Sequence, residues 1–447
     1  MIEPAPTYAE KRDALAARLK EGDGPVGLGK DTSNLFRDRN AAPQRKLDVR
    51  QFCEVLHVDR EAGFIEAEGM APYETLVQAG LAHGVMPAVV PQLKTITLGG
   101  AVAGVGIEAS SHRYGLVHEN VLELDVLTAD GRILVCTPDN EHADLFFGFP
   151  NSYGTLGYAL RVKARATPVK PYVRLEHLPF PTAAAFFTEV ERQCRSGDAD
   201  FIDGTLFAPD RLFLTLGRFV DTAPYASDYT YEHIYYRSIP EQREDWLTVR
   251  DFIWRWDTDW FWCSKNVFAQ NPLIRRLYGR QRLGSATYTK IMRWNSRVGL
   301  TGNLERLLGL HSESVIQDVD VPLPRAAEFL DFYTREIGIW PAWICPIGPQ
   351  GNAARYALYP MRGGWHVNFG FWDVIRTRKA HPRGHFNRLI EQKIGELGGI
   401  KSLYSDSFFP EEEFWRQYGG EAYRGLKAKY DPDGVFPDLY EKCVLRS

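Results

Sequence analysis

The chain has 447 residues, with 25% charged residues, 44% hydrophobic residues and a formal net charge of -4. This composition excludes a disordered chain, and the small net charge provides no overall field that would attract nucleic acid. The six cysteines show neither a C-x-x-C pair nor a metal-ligand spacing, so we expect reduced thiols, no metal site and a cytoplasmic protein. The charged N-terminus predicts no signal peptide, and no apolar run is long enough to predict a transmembrane helix.

The first 168 residues predict closely spaced strands, short helices and glycine turns. In chain order we predict a helix (8–20), an apolar run into a glycine turn (25–34), a hairpin (56–69), a helix (72–84), a second hairpin (121–138), a short acidic helix (139–149) and a strand after a glycine turn (154–169). Beyond residues 168–171 the predicted segments are longer, and the C-terminal tail predicts helices that end in a turn at 431–434. The change in element density near residue 170 indicates a boundary between two parts of the chain.

Residues 97–116, TLGGAVAGVGIEASSHRYGL, contain a formal dinucleotide-binding fingerprint. Gly104, Gly106 and Ala109 match its spacing, and an acid follows at about the expected distance. A Rossmann turn also needs a buried strand before the glycines and a regular helix after them. A glycine pair precedes this turn and Gly115 interrupts the segment after it, so the pattern does not predict a Rossmann domain.

An alternative interpretation takes the small residues as room for a cofactor. Thr97 would cap a short helical turn. A phosphate or a flat ring could then approach the backbone N–H groups of this turn closely, because its small residues leave space. Two further glycine turns, at 27–34 and 154–157, flank this segment at similar distances. Three converging loops would suit a long cofactor with a central diphosphate, whereas spacing alone is equally compatible with three unrelated tight turns.

Four segments carry a resemblance to a known family. They are GLGKDTSN (27–34), VVPQLKTITLGGAVAGVGIEASSHRYGL (89–116), VLTADGRILVCTP (126–138) and GTLGYALRVKA (154–164). Together they resemble the PCMH-type FAD-binding domain of the vanillyl-alcohol-oxidase flavoproteins. GIEASSHRYGL and later segments such as FAQNPLIRRLYG and KYDPDGVFPDLY are similar to the 24-dehydrocholesterol reductases, a family of sterol side-chain reductases. The resemblance covers the chain from about residue 24 to its end.

The resemblance implies an α+β fold in which a two-subdomain FAD-binding lobe is covered by an α+β substrate cap. Residues 1–169 and the returning segment 401–447 would form the FAD lobe, and residues 170–400 would form the cap. The first glycine loop has no histidine, so we expect FAD to be held without a covalent bond. The expected FAD-binding residues are Gly27, Gly29, Lys30, Ser33, Asn34, Pro91, Thr97, Gly99, Gly100, Gly104, Gly106, Ile107, Ser110, Ser111, Tyr114, Gly115, Gly154, Thr155 and Gly157.

The family's reaction implies reduction of an isolated carbon–carbon double bond in a sterol or isoprenoid side chain, with NADPH recharging the flavin. Such an alkene is a poor hydride acceptor, so the site needs a well-placed acid and a dry pocket. The candidate catalytic residues are Tyr404, Glu108 and His112, and each has a structural role as its alternative. For the whole chain the alternatives are an FAD-dependent alcohol or alditol oxidase or dehydrogenase, and a flavin- or lipid-binding protein without turnover.

The tract 261–303 contains no Asp or Glu but several Lys and Arg, and Trp254, Trp256, Trp260 and Trp262 lie before it or at its start. This combination predicts an interfacial patch that makes peripheral contact with anionic lipid and admits a hydrophobic, isoprenoid or sterol-like substrate. A solvated basic surface over an aromatic core explains the composition equally well, and some arginines would also suit an NADPH phosphate. We expect no nucleic-acid partner, and the sequence does not determine the oligomeric state.

Overall fold

The computed structural model describes residues 6–22, 24–31, 36–37, 45–298 and 309–446. Ser33 and Asn34, two of the expected FAD-binding residues, lie outside these ranges. The helices within them are α1 (Tyr8–Lys20), α2 (Tyr73–Ala82), α3 (Leu98–Ala103), α4 (Ser111–Tyr114), α5 (Ala143–Gly148), α6 (Ala183–Ser196), α7 (Tyr235–Ser238), α8 (Val249–Ile253), α9 (Pro272–Tyr278), α10 (Ser285–Val298), α11 (Ala326–Glu336), α12 (His385–Leu397), α13 (Glu411–Gln417) and α14 (Gly420–Tyr430). None of the helices in these ranges is both long and apolar enough to cross a membrane.

The strands form two large sheets and one small pair. In chain order they are β1 (Val26–Gly29), β2 (Arg45–Asp48), β3 (Val55–Asp59), β4 (Phe64–Glu68), β5 (Val85–Pro87), β6 (Val121–Leu127), β7 (Ile133–Cys136), β8 (Tyr158–Pro168), β9 (Tyr172–Phe180), β10 (Phe201–Ala208), β11 (Arg211–Val220), β12 (Glu244–Thr248), β13 (His311–Pro322), β14 (Ala342–Ile347), β15 (His366–Thr377) and β16 (Ile400–Lys401). Helices and antiparallel sheets together give an α+β fold, as the family resemblance implied.

The smaller sheet has six strands in the order β3-β4-β8-β6-β7, with β5 paired to β8 outside this path. Both predicted hairpins are confirmed, and their turns contain Gly63 and Gly131, whose φ angles of +70° and +77° favour glycine. The parallel pair β1 and β2 packs on α1 through Leu15, Val26 and Leu47. Along β8 buried residues alternate with partly exposed ones, so one face of this sheet meets the core.

The larger sheet has eight strands in the order β12-β9-β11-β10-β14-β15-β13-β16, and each neighbouring pair is antiparallel. Helices α6, α11 and α12 cover one of its faces, because each is amphipathic and buries an apolar stripe there. Phe186, Phe329 and Ile390 are fully buried in this layer. The opposite face of the sheet is therefore left to contact the smaller sheet and its loops.

The C-terminal helices return to elements from the first part of the chain. Lys429 on α14 lies 2.7 Å from Asp144 on α5. Val26 of β1 donates its backbone N–H to the carbonyl oxygen of Val435 at 2.9 Å. These contacts agree with a C-terminal segment that packs on the first part of the chain, and the domain limits at 169 and 400 stay a prediction.

Helix α3 lies against the smaller sheet at a point where no side chain intervenes. Gly99 at its start donates its N–H to the carbonyl oxygen of Gly69 at 2.8 Å. A Cβ atom on Gly69 would lie 1.9 Å from the Ala159 carbonyl oxygen, and one on Gly99 would lie 2.8 Å from the Gly69 carbonyl oxygen. Because the backbones meet directly, only glycine fits at these two positions.

We predict that Gly69→Ala lowers the free energy of unfolding by about 1–3 kcal/mol or more, because the added methyl group collides with the Ala159 carbonyl group of β8 and forces the two backbones apart. Urea denaturation measures this change. Gly425→Ala is the matched control, since Gly425 is exposed in α14 with no atom within 4 Å of an added Cβ. That control is expected to be neutral or to stabilise by up to about 1 kcal/mol. Equal stability of the Gly69 variant and the wild type would contradict the close approach.

Candidate active site

A cavity of about 960 Å³ is lined by residues of both large sheets. This volume is near the upper end of the range for small-molecule sites, roughly 300–1,000 Å³. Most non-glycine residues with a left-handed backbone in the described ranges border it, including Val105 (φ 60°), Tyr153 (φ 50°), Trp260 (φ 44°) and Phe261 (φ 57°). Strained conformations of this kind cluster at functional sites. The cavity is therefore the candidate active site.

One wall of the cavity is built mainly from backbone. The Thr97 hydroxyl accepts a hydrogen bond from the Gly100 N–H at 3.3 Å and thereby caps α3. The chain then runs along the cavity from residue 104 to 107. Gly154 and Gly157 bring the turn before β8 to the same cavity, with φ angles of +77° and +140° that favour glycine. We call this surface the glycine wall.

The expected FAD-binding residues that the structure describes divide into two groups. Those that line the cavity are Gly27, Lys30, Pro91, Thr97, Gly99, Gly100, Gly104, Gly106, Ile107, Gly154 and Gly157. Those that do not line it are Gly29, Ser110, Ser111, Tyr114, Gly115 and Thr155. In the second group Ser110 donates its hydroxyl to the Ala88 carbonyl oxygen at 2.7 Å, and Thr155 donates to that of Ser152 at 2.8 Å. The three glycine segments thus meet at one cavity, while residues 110–115 lie behind its wall.

A second wall of the cavity is aromatic. Trp260, Phe261, Trp343 and Trp372 line it, and the ring of Phe261 lies 4.4 Å from that of Trp372 and 5.7 Å from that of Trp343. Tilted and edge-on contacts of this kind hold the rings in defined positions. We call this surface the aromatic wall, and it provides a dry, apolar lining.

A polar group of three side chains interrupts the aromatic wall. Trp372 donates its indole N–H to the Tyr404 hydroxyl oxygen at 2.8 Å, and Tyr404 lies close enough to the Asp318 carboxyl group for each to shift the pKa of the other. Burial raises the pKa of Asp318 to about 7, and the nearby carboxyl group of Asp320 contributes in the same direction. Asp318 Oδ1 has no hydrogen-bond partner among the described residues. Asp318 can therefore hold a proton near neutral pH at the surface of the cavity.

The polar group depends on a glycine in the neighbouring strand. Gly370 on β15 pairs with Asp318 on β13. A Cβ atom on Gly370 would lie 2.7 Å from Asp318 Oδ1 and 2.6 Å from the Trp372 ring. The absence of a side chain at this position therefore makes room for both.

The cavity residues fit the expected FAD. The glycine wall lets a diphosphate or a flat ring approach backbone N–H groups closely. Lys30, Lys46, Lys427 and Lys442 line the same cavity and supply positive charge for a diphosphate. The aromatic wall offers rings against which a flat cofactor or an apolar substrate can pack.

Comparison with known proteins finds an FAD-binding domain and a set of similar reductases. An FAD binding domain family matches residues 21–137. The delta(24)-sterol reductase of Homo sapiens is 26% identical over 410 residues, which cover 87% of this chain and 76% of that protein. This chain is an FAD-binding oxidoreductase that is similar to delta(24)-sterol reductases.

Two other relatives show how far the similarity extends. The delta(24)-sterol reductase of Pisum sativum is 25% identical over 463 residues, covering 91% of the oxidoreductase and 77% of the relative. Cytokinin dehydrogenase 2 of Oryza sativa subsp. japonica is 27% identical over 206 residues, covering 45% of the oxidoreductase and 34% of the relative. The similarity to sterol reductases therefore includes most of the chain, whereas that to the cytokinin dehydrogenase includes less than half.

Glu108, a candidate catalytic acid, lies in a buried ion cluster and does not line the cavity. Arg255 donates to Glu108 Oε1 at 3.0 Å and to Asp203 Oδ2 at 2.7 Å, and Gln92 donates to the other oxygen of Glu108. Burial raises the pKa of Glu108 to about 7 although Arg255 opposes the shift. Because the single Arg255 guanidinium is shared by two carboxyl groups, Glu108 keeps its proton to a higher pH than an exposed glutamate does. These contacts favour the structural alternative for Glu108.

His112, the second candidate in this segment, is also buried behind the glycine wall. Its ring nitrogens lie 2.9 Å from the Ala109 carbonyl oxygen and 3.1 Å from the Ala199 carbonyl oxygen. Burial lowers the pKa of the imidazole. Of the three candidate catalytic residues, the structure places only Tyr404 at the cavity.

The four tryptophans at the start of the expected interfacial patch do not face solvent. Trp254, Trp256, Trp260 and Trp262 are all buried. Trp256 packs edge-on against the Tyr235 ring at 4.9 Å, and Trp260 lines the cavity. The rings turn inward because burial of their large apolar surface outweighs the hydrogen bonds of their N–H groups. The aromatic core of the alternative interpretation is therefore observed, and lipid contact by the basic tract stays a prediction.

We predict that Arg255→Met lowers the free energy of unfolding by about 3–5 kcal/mol, because it leaves Glu108 and Asp203 buried without a cation. Glu108→Gln should cost about 1–3 kcal/mol, since the amide keeps part of the hydrogen bonding. Chemical denaturation of both variants at neutral pH measures the difference. A smaller loss for Arg255→Met than for Glu108→Gln would contradict the cluster.

Proposed function

We propose that this oxidoreductase uses FAD and NADPH to reduce an isolated carbon–carbon double bond in a sterol or isoprenoid lipid. The observation that carries the proposal is the pair of Tyr404 and Asp318, a proton source set in the aromatic wall. The similarity to delta(24)-sterol reductases supports the substrate class. In this proposal residues 1–169 and 401–447 hold non-covalent FAD, residues 170–400 cover the substrate, and the protein works in the cytoplasm with peripheral membrane contact.

The chemistry of an isolated alkene explains why this pair matters. Such an alkene accepts a hydride poorly, so one carbon must be protonated as the hydride reaches the other, and the two additions give the saturated product. Bound FAD, once reduced by NADPH, would supply the hydride. Tyr404 donates the proton from its hydroxyl, and the neighbouring Asp318, whose pKa of about 7 lets it hold a proton near neutrality, replaces it.

The aromatic wall supports this step in two ways. The Trp372 N–H occupies one lone pair of the Tyr404 oxygen, so the hydroxyl proton is directed to Asp318 or to the cavity. Phe261 and Trp343 exclude water, which would otherwise surround the charge that develops on the protonated alkene. An alcohol or alditol would be better served by a wall of hydroxyl-binding groups, so this lining favours an alkene.

Anaerobic mixing of the FAD-loaded protein with NADPH, followed by a sterol or polyprenyl alkene, tests the proposal. We predict that NADPH bleaches the flavin and that the alkene restores its absorbance, with a product two hydrogens heavier. Tyr404→Phe should be bleached at the wild-type rate and reoxidised by the alkene roughly 10²–10⁴ times more slowly, because the proton donor is missing.

The control for this experiment is Tyr225→Phe, which changes an exposed tyrosine and should behave as the wild type. Bleaching by an alcohol and not by NADPH would overturn the proposal in favour of the dehydrogenase alternative. Absence of bleaching with any nicotinamide cofactor would also overturn it.

The raised pKa of Asp318 predicts the pH dependence of the alkene step. Below a pH of about 7 the Asp318 carboxyl group is protonated and holds the proton that Tyr404 passes on. Above this pH the carboxyl group is ionised and has no proton to give. The rate of flavin reoxidation by the alkene should therefore fall as the pH rises through about 7. Asp318→Asn should be slow at all pH values and lack this transition. A wild-type rate that rises with pH over the same range would contradict the role of Asp318.

A further inference from the structure

Three large apolar side chains near α9 are exposed to solvent. Phe268 and Leu273 are each 71% exposed, and Leu277 is 82% exposed. Leu273 and Leu277 are four residues apart on α9 and therefore share one helix face. Single exposed apolar residues are common, but a cluster of this kind marks an interaction site. We call these three side chains the α9 surface.

The α9 surface is held outward by a buried anchor on the other side of the helix. Arg275 is buried and its guanidinium binds both carboxylate oxygens of Asp259, at 2.6 Å and 2.9 Å. It also donates to the Ala269 carbonyl oxygen at 3.1 Å. Asn271 caps the helix by accepting from the backbone N–H groups of its first turn. Because this side is fixed, α9 cannot turn its leucines inward without breaking a buried ion pair.

The surroundings of the α9 surface are basic. Arg276, Arg280 and Arg282 lie within or just after α9, and residues 261–303 contain no acid. Arg276 lies 3.6 Å from Glu232 and Arg280 lies 2.7 Å from Asp228, and all four side chains are exposed. Exposed ion pairs of this kind contribute little, so the arginines can exchange these partners for phosphate groups.

The α9 surface also adjoins the cavity. Cys263 and Asn266 line the cavity, and Phe268 follows two residues later. The Tyr278 hydroxyl at the end of α9 donates to the Val267 carbonyl oxygen at 3.4 Å, which ties the helix to this turn. A molecule that contacts the α9 surface is therefore close to the segment that forms part of the cavity wall.

We propose that the α9 surface docks the protein on an anionic lipid bilayer, with Phe268, Leu273 and Leu277 inserted among the acyl chains and the arginines at the level of the headgroups. A stable protein–protein interface buries about 800 Å² on each partner, which is far more surface than three side chains provide. Insertion of a few apolar side chains beside basic ones is instead typical of helices that lie in a membrane interface. The purpose of the docking, delivery of a lipid substrate, rests on the proposed function.

Flotation of the purified protein with vesicles tests the docking without any turnover. The probes are vesicles of phosphatidylcholine alone and vesicles that also contain phosphatidylserine. The wild type should bind the anionic vesicles more tightly, and added salt should weaken binding. Leu273→Gln with Leu277→Gln should lower the partition coefficient at least about tenfold. Arg276→Gln with Arg282→Gln should remove the preference for anionic vesicles.

The matched control is Leu56→Gln with Leu122→Gln, which changes two partly exposed leucines on β3 and β6 and should bind vesicles as the wild type does. Equal binding by the α9 double variant, or no binding by the wild type, would overturn the proposal. So would a wild-type dimer that the leucine variant dissociates, because the surface would then join two copies of the chain. Vesicle binding without alkene reduction would refute the proposed function alone.

Discussion

Arg255 joins the glycine segment to the eight-stranded sheet. Its buried guanidinium binds Glu108, at the end of the glycine wall, and Asp203 on β10. Beside it, Ile202 donates its backbone N–H to the Ala109 carbonyl oxygen at 2.9 Å. A buried cation is stable only while both carboxylates stay within hydrogen-bond distance of it, because separation leaves uncompensated charge in the protein interior. This cluster therefore sets the position of the glycine wall relative to the strands that carry the aromatic wall, and the cavity depends on it.

The same physical effect acts on two carboxyl groups with different consequences. Burial raises the pKa of Glu108 and of Asp318 to about 7. Glu108 is enclosed by Arg255 and Gln92 behind the wall and does not line the cavity. Among the described residues no cation shifts the pKa of Asp318, and this side chain lies beside Tyr404 at the cavity. Location, and not acidity, separates a structural carboxyl group from a candidate proton source.

The aromatic residues show where sequence reasoning was incomplete. The tryptophans between 254 and 262 stand out in the sequence, but their spacing does not say whether the rings face solvent or core. The structure turns them inward, and the exposed apolar surface is formed by Leu273 and Leu277, which are unremarkable in the sequence. Asp318 was also missed, because alternation in a strand predicts that Asp318 and Asp320 share a face but not what lies opposite them.

The sequence by itself determined both early hairpins and the glycine turns from which the backbone wall is built, because turns, caps and strand alternation depend on neighbouring residues. The resemblance to a family added the α+β class, FAD and Tyr404. Only the tertiary structure decided that Asp318 and not Glu108 faces the cavity, and that α9 presents its leucines to solvent. The reason is physical: burial and charge pairing join residues such as Glu108 and Arg255, which are 147 positions apart, and no local pattern encodes that contact.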